Sequence, residues 1–375
     1  MQNTSNKVNW LNTIFLIATF VVGVSGAIIL TSFGMVKWQT WAFTGVYIFM
    51  TGIAITAGYH RLFAHKSYEA HPVIAFVLAM LGSACFEGSV LEWGTDHRNH
   101  HRYVDTEKDP YNIHQGFWYA HIGWLIRLDP SKRDFSNVAD LSASPLLRFQ
   151  HRYFPWIAVF MGFVLPTLVC SLWGDAWAGF IVAGVFRTVF NHHSTFFINS
   201  LCHWAGKRTY TEEQTARDNW ITALVTMGEG FHNFHHQFPL DYRNGIRWFH
   251  FDPTKWLIFG LSKVGLAGNL RRICRHKILQ FKLRVDEARL KRKHHADSLF
   301  IHQKVEPLKA HLVNLIEKIV HLEAELASLL NATKIEHAKG KYQECKSQLQ
   351  GCLHNLKTVQ KELNLSLVNW RALCI

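Results

Sequence analysis

Residues 10–30, WLNTIFLIATFVVGVSGAIIL, contain no charged side chain, and that single run limits what the chain can become. About 20 apolar residues suffice to cross a bilayer as a helix. In lipid every backbone polar group must be satisfied within the segment, so an α-helix is the expected form. The run exceeds the core of a cleaved signal, only Lys7 precedes it as a basic residue, and a second apolar stretch follows at 38–59. The two segments predict a transmembrane hairpin.

A second hairpin is expected from residues 154–173 and 177–197, broken at Gly174-Asp175. Between the hairpins, His71 to Val90 is apolar but interrupted by Gly82, Ser83, Glu87 and Gly88, which suits a segment that dips into the membrane or crosses partway. Residues 115–128 place aromatics and aliphatics at helical spacing, as an interfacial helix would. The predicted fold class is all-α and integral to the membrane: four transmembrane helices, a cytoplasmic helical cap and a helical tail. An even number of spans puts the N-terminus, the 60–154 region and everything beyond 200 on one side.

Composition agrees with a membrane body joined to a soluble tail. The 375 residues are 49% hydrophobic and 14% aromatic, yet mean hydropathy is near zero because the charged residues collect late in the chain. Much of the net charge of +13 lies in Arg271, Arg272, Arg275 and Lys277 and in Lys291-Arg292-Lys293, after the last apolar segment. That location points to the cytoplasmic face of a membrane and to membrane lipid, rather than to nucleic acid. It also suits an anionic substrate. From Val305 onward, Leu308, Leu312, Leu315, Ile319, Leu322, Leu326 and Leu329 follow a heptad seam. The pattern thins over 331–340 and resumes with Leu349, Leu353, Leu356, Val359, Leu363 and Leu367. The expected organisation is a membrane domain at 1–268, a basic linker at 269–304, and a helical hairpin or coiled-coil tail at 305–375 through which the chain could associate with itself.

Seven scattered cysteines without a C-x-x-C pair argue against thiolate metal sites and disulfide frameworks. Histidine, at 24 residues, carries the chemical signal. Three clusters stand out: His60 with His65, His97-Arg-Asn-His100-His101, and His232-Asn-Phe-His235-His236. Residues i, i+3 and i+4 share a helical face, so each H-x-x-H-H cluster is expected to point three imidazoles one way. The i, i+5 pair would lie about 140° apart on an ideal helix, so a helix end near His65 is expected to turn its ring back. Neutral imidazole ligates iron, zinc or copper. Eight imidazoles exceed one metal's needs and suit two metals with four or five ligands each.

The residues around these clusters make the pattern specific. HRLFAH at 60–65, EWGTDHRNHH at 92–101, DPYN at 109–112 and GEGFHNFHHQFPLDYRNG at 228–245 resemble the membrane acyl-CoA Δ9 desaturases of the stearoyl-CoA type, over roughly residues 10–260. The resemblance implies that the metals are two iron ions, that His203 is a ninth ligand, and that Asn199 acts through a water; Asn199-Ser-Leu-Cys-His203 matches the family's N-S-x-x-H segment. It further implies O2-dependent insertion of a cis double bond into a long-chain acyl thioester, with acyl-CoA as the expected substrate. An unactivated methylene C–H is beyond ordinary acid–base chemistry, so the metal must supply that step. Electrons are expected from a separate cytochrome b5-like or ferredoxin-like donor. Trp93, Glu87 and Gly88 are the implied substrate-wall residues, with one departure: relatives commonly carry Gln followed by Asn or Gly where this chain has Glu87-Gly88. His192 and His193 do not match the family's ligands. Arg61, Arg98 and Arg102 are expected to pair with Asp96, Asp105, Glu107 or Asp109 and so orient the imidazoles. Two other readings stand beside this one: a histidine-box hydroxylase of alkyl or acyl chains, and a non-catalytic metal-binding membrane assembly protein.

Overall fold

Asn9 starts the first helix by accepting the Asn12 N–H at 3.0 Å, and nothing charged interrupts α1 (Trp10–Ser32) afterwards. A computed structural model of the chain describes residues 7–295, 297–336 and 342–374, and side chains outside 332–345. The helix is about 35 Å long at 1.5 Å per residue. Leu11, Ile14, Ile17, Phe20 and Ile28 stay exposed along it. An uncovered apolar belt of that length suits lipid rather than water.

α2 (Trp38–Ala64) follows, and its second half, Ala54–Ala64, is wound as wide i→i+5 turns. α3 (Pro72–Ser83) has proline in its first turn and is 12 residues long, too short to span. The chain then turns through Phe86 and Gly88, both at positive φ, into α4 (Val90–Tyr103). A capping box starts α4: Ser89 Oγ accepts from Glu92 N at 3.3 Å, and Glu92 Oε2 accepts from Ser89 N at 2.8 Å. The interfacial helix expected at 115–128 is present over residues 117–126, wound with wide turns at Tyr119–Gly123, and it buries Ala120, His121 and Trp124.

Then come α5 (Pro145–Arg152), α6 (Phe154–Ser171) and α7, helical through residues 176–204. Among the described residues three helices are long and apolar enough to cross a membrane: α1, α2 and α6. The expected fourth span lies in α7 but is diluted by Arg187, Asn191, His192 and His193. Arg187 is buried and satisfied internally, donating to the carbonyls of Ala84 and Gly162 at 3.0 Å each. Shorter helices α8 (Trp220–Val225), α9 (His232–Gln237) and α10 (Pro253–Lys263) complete this part. A two-residue antiparallel pairing of β1 (Glu69–Ala70) with β2 (Ala267–Gly268) ties its late chain to its early chain.

The chain divides into two compact units, residues 1–273 and 274–375. In the second, α11 (Arg275–Lys293), α12 (Glu306–Glu336) and α13 (Tyr342–Leu373) share a core. Leu283 and Leu290 of α11 pack with Leu312, Leu315, Ile316 and Ile319 of α12 and with Leu356, Leu363 and Trp370 of α13. The stretch expected as a basic linker therefore contains a helix of this unit. On α13 the seam uses Cys352, which is buried, while the expected Leu353 faces outward. Positions 349, 352, 356, 359 and 363 alternate three and four apart without a break, which explains the exchange. Residues 337–341, within the stretch where the apolar pattern thins, lie outside the described residues.

Candidate metal centre

Backbone winding explains the first histidine pair. In the wide turns ending α2, His65 N donates to His60 O at 3.0 Å. An i→i+5 turn brings positions five apart onto one face, where a regular helix would separate them. The two rings accordingly lie 4.8 Å apart, centroid to centroid.

α4 carries His97, His100 and His101, α7 carries Asn199 and His203, and α9 carries His232, His235 and His236. A six-residue helix has little stability of its own, so its surroundings hold α9 in place. Asn233 Oδ1 accepts from Tyr210 N at 2.7 Å, and its amide donates to the carbonyls of Thr211 and Ala216 at 2.9 Å. Just before α9 the backbone at Gly230 runs so close to Ala223 N and Asn219 O that no Cβ would fit.

The nine histidines separate into two groups whose ligand atoms lie within 4.8 Å of one another: His60, His65, His97, His101 and His235, and then His100, His203, His232 and His236. The three rings of each H-x-x-H-H motif thus enter two adjacent groups, which meet at His100 and His236. Each motif contributes its i, i+4 pair to one group and its middle histidine to the other, with the assignment exchanged between α4 and α9. The Nε2 atoms converge. His235 Nε2 lies 3.0 Å from that of His60 and 2.9 Å from that of His101, and His65 lies 2.7 Å from His97. In the second group His232 is 3.1 Å from His203 and 3.0 Å from His236.

What each Nδ1 touches decides which nitrogen holds the lone pair. His60 Nδ1 lies 2.9 Å from Glu229 Oε2, and His100 Nδ1 lies 2.8 Å from Asp109 Oδ1. His236 Nδ1 lies 3.1 Å from Gln214 Oε1. The Asp109 and Gln214 oxygens accept, so at His100 and His236 Nδ1 carries the proton and Nε2 is left as a lone pair. His100 and His236 then face each other lone pair to lone pair across 3.2 Å between the two groups. Such pairs repel unless cations lie among them, so the donor set fits metal ions. Burial, reinforced by neighbouring imidazoles, holds His65, His97, His101, His232, His235 and His236 well below the usual histidine range; at His203, His100 and Arg217 reinforce it. Near neutral pH these rings are uncharged, which is the ligating form. Burial would raise the Glu229 carboxyl, but Arg61 and His60 outweigh it and hold the group below its ordinary value.

The expected arginine pairings are not the observed ones. Arg61 bridges Glu229 at 2.8 Å and Asp252 at 3.0 Å. Arg98 binds Asp140 and the carbonyls of Phe63 and Ala64, and Arg102 lies over the Tyr103 ring. Asp96 pairs with Arg133, Asp105 holds Thr215, and Asp109 goes directly to His100. Glu229 was missed in the sequence although it stands only three residues before His232, in the turn that leads into α9. His192 and His193 belong to neither metal group; His193 Nδ1 meets His121 Nε2 at 3.0 Å.

A cavity of about 350 Å³ adjoins the centre. His60, His97, His100 and His232 line it together with apolar residues such as Phe15, Leu16 and Phe196. Trp93, Glu87, Gly88 and Asn199 also line it. Trp93 stacks on His97 with centroids 4.6 Å apart and donates Nε1–H to Glu87 Oε2 at 3.2 Å. Thr195 on α7 donates to Glu87 Oε1 at 2.8 Å.

Fold and site together define a helical protein with membrane-length apolar helices and two all-imidazole clusters suited to metal. Comparison with known proteins narrows the class. The fatty acid desaturase family profile matches residues 37–264. The chain is 47% identical over 272 residues, 72% of its length, to the Schizosaccharomyces pombe probable acyl-CoA desaturase, and covers 56% of that protein. It is 39% identical to acyl-CoA desaturase 1 of Saccharomyces cerevisiae, with 78% of this chain and 58% of the relative aligned. It is 37% identical to human stearoyl-CoA desaturase 5, with 64% and 74% aligned. This chain therefore belongs to the fatty acid desaturase family. It spans a little over half the length of the two yeast relatives.

Proposed function

We propose that the chain is a membrane acyl-CoA desaturase that introduces a cis double bond at Δ9 into a long-chain saturated acyl thioester, using O2, two iron ions and electrons from an external donor. The observation that carries this reading is the meeting of two imidazole groups, each able to hold a metal ion, with one largely apolar cavity. The cavity's volume falls within the usual range for ligand pockets. His60, His65, His97, His101 and His235 would hold one iron; His100, His203, His232 and His236 would hold the other, with Asn199 acting through water. When bound, the irons supply the O2 activation and C–H cleavage that no acid or base among these side chains can perform.

The protein's own part is to bind and to position. Asp109 fixes the ligating tautomer of His100, and the Glu229 carboxylate lies against the His60 ring at 2.9 Å. Trp93, packed on His97, forms part of the cavity wall beside the ligands. Arg133 at the cavity's polar side is neutralised by Glu92 at 3.0 Å and Asp96 at 2.6 Å. The apolar lining excludes water from the reacting carbon. α7 is the proposed fourth span, supported by the internal pairing of its polar groups: besides Arg187, Asn191 donates to Thr51 Oγ1 at 2.6 Å. Four spans would set the histidines and the second unit on the cytoplasmic side.

Expression in a host lacking its own desaturase, followed by fatty-acid profiling, tests the activity. Growth on saturated fatty acids and accumulation of long-chain cis monounsaturates at Δ9 are expected. A hydroxylated product without an alkene would reassign the chain to the hydroxylases, and an unchanged profile would refute the reading.

A further inference from the structure

Glu87 is an acid in an apolar wall. It sits between α3 and α4, half-buried by accessible surface because it lines the cavity, and otherwise enclosed by protein. Among the described residues its two carboxyl oxygens meet only neutral hydrogen-bond donors, Trp93 Nε1 from α4 and Thr195 Oγ1 from α7. Among the described residues no lysine or arginine is hydrogen-bonded to it. The titratable groups around it are Tyr59 and His60 on α2, Cys85 on its own segment, Glu92 on α4 and His192 on α7. The two nearby guanidinium groups are engaged elsewhere: Arg187 with the carbonyls of Ala84 and Gly162, and Arg133 with Glu92 and Asp96.

A carboxylate without a cation, beside an apolar ligand, is costly, and the neutral acid is the form such a place favours. Burial accordingly pushes the Glu87 carboxyl up to about 7, against the smaller opposing pull of its hydrogen bonds from Thr195 and Trp93. Filling the cavity with an acyl chain removes the remaining water and raises the cost of ionisation further. Proton binding and chain binding are therefore linked, and each favours the other.

We propose that Glu87 sets the pH range over which the cavity accepts an acyl chain: as an uncharged carboxylic acid it completes the wall, and once ionised it draws water in and excludes the chain. This rests on the reading of the cavity as the acyl site. A glutamine there could not ionise, so the property belongs to the acid this chain carries. The sign follows from linkage: the complex binds the proton more tightly than the free enzyme, so affinity falls as pH rises through the titration. With loss of one proton near neutrality, KM for the acyl substrate rises about tenfold between pH 6 and pH 8 while kcat changes little.

The test is steady-state desaturation by the purified, iron-loaded full chain with its electron donor across that pH range. Infrared titration of the carboxylic-acid carbonyl band runs alongside, on the wild type and on Glu87→Gln. The expected results are a KM that rises with pH in the wild type, a KM independent of pH in E87Q, and a protonated-carboxyl band that fades over the same range and is missing from E87Q. Thr195→Val removes a donor that favours the ionised form, so the rise in KM should move to higher pH. A wild-type KM that does not change with pH, an E87Q enzyme with the wild-type slope, or an unmoved profile in T195V would overturn the proposal. Desaturation at pH 6 establishes the acyl reading independently. If no desaturation occurs at any pH, that reading fails, and with it this proposal, even where the infrared band still locates the proton on Glu87.

Discussion

His235→Ala is expected to lower desaturation by more than about 100-fold, since even removing an outer partner of a metal ligand costs 10- to 100-fold in affinity or activity. The His235 ring faces two others, with its Nε2 2.9 Å from His101 and 3.0 Å from His60. Alanine would remove the donor that closes the five-histidine group and leave four rings around an opened space. The second group loses no ligand, so purified H235A should keep roughly half of the wild-type iron. Fatty-acid profiling and metal analysis on the same preparation check both parts. Wild-type product levels in H235A would exclude a catalytic role for this group.

Arg61→Ala should be among the most destabilising single changes in the first unit. The guanidinium is 1% exposed, and it holds Glu229 at 2.8 Å, Asp252 at 3.0 Å and the Tyr242 carbonyl at 2.8 Å. Its removal leaves two buried carboxylates without their cation, a loss that typically costs about 3–5 kcal/mol. Arg61→Lys keeps the charge but not the fork that reaches both acids at once, so it should recover only part of the loss. Thermal unfolding of the detergent-extracted protein measures this, and an unchanged midpoint in R61A would show that the network contributes nothing to stability. Because Glu229 also contacts His60, both variants should lose iron more readily than the wild type.

The histidine motifs were legible to different depths in the sequence. The two H-x-x-H-H segments announced helical faces, and His203 followed from its match to a family segment and its register with Asn199. The division into five and four was hidden, because it depends on how α4 and α9 cross and not on spacing within either. His60 and His65 looked mismatched on a regular helix; only the wide turns of Ala54–Ala64 align them, and no propensity rule forecasts those turns. Of the orienting acids, Asp109 was among the expected candidates and reaches His100 directly, while Glu229 was obscured. Asp96, Asp105 and Glu107 were nearer in sequence to the second cluster, yet Glu229 reaches His60 from far along the chain.

The membrane helices show how composition can both reveal and mislead. α1 and α6 carry no charged residue, and α2 carries one only near its end, at Arg61, so all three were plain from the sequence. α7 mixes Arg187, Asn191 and histidines into its apolar run because its inner face packs against other helices, where Ala84, Gly162 and Thr51 satisfy the polar groups. In the second unit, Leu353 outranks Cys352 in hydrophobicity, yet the unbroken alternation of three and four selects the cysteine.

Iron content of the purified full chain, measured together with its double-bond product, tests the central claim most directly. Two irons per chain, falling to one with H235A and accompanied by loss of the monounsaturated product, are predicted. A single metal per chain, or iron-free protein that still desaturates, would contradict an account in which nine imidazoles form two metal sites beside one acyl cavity.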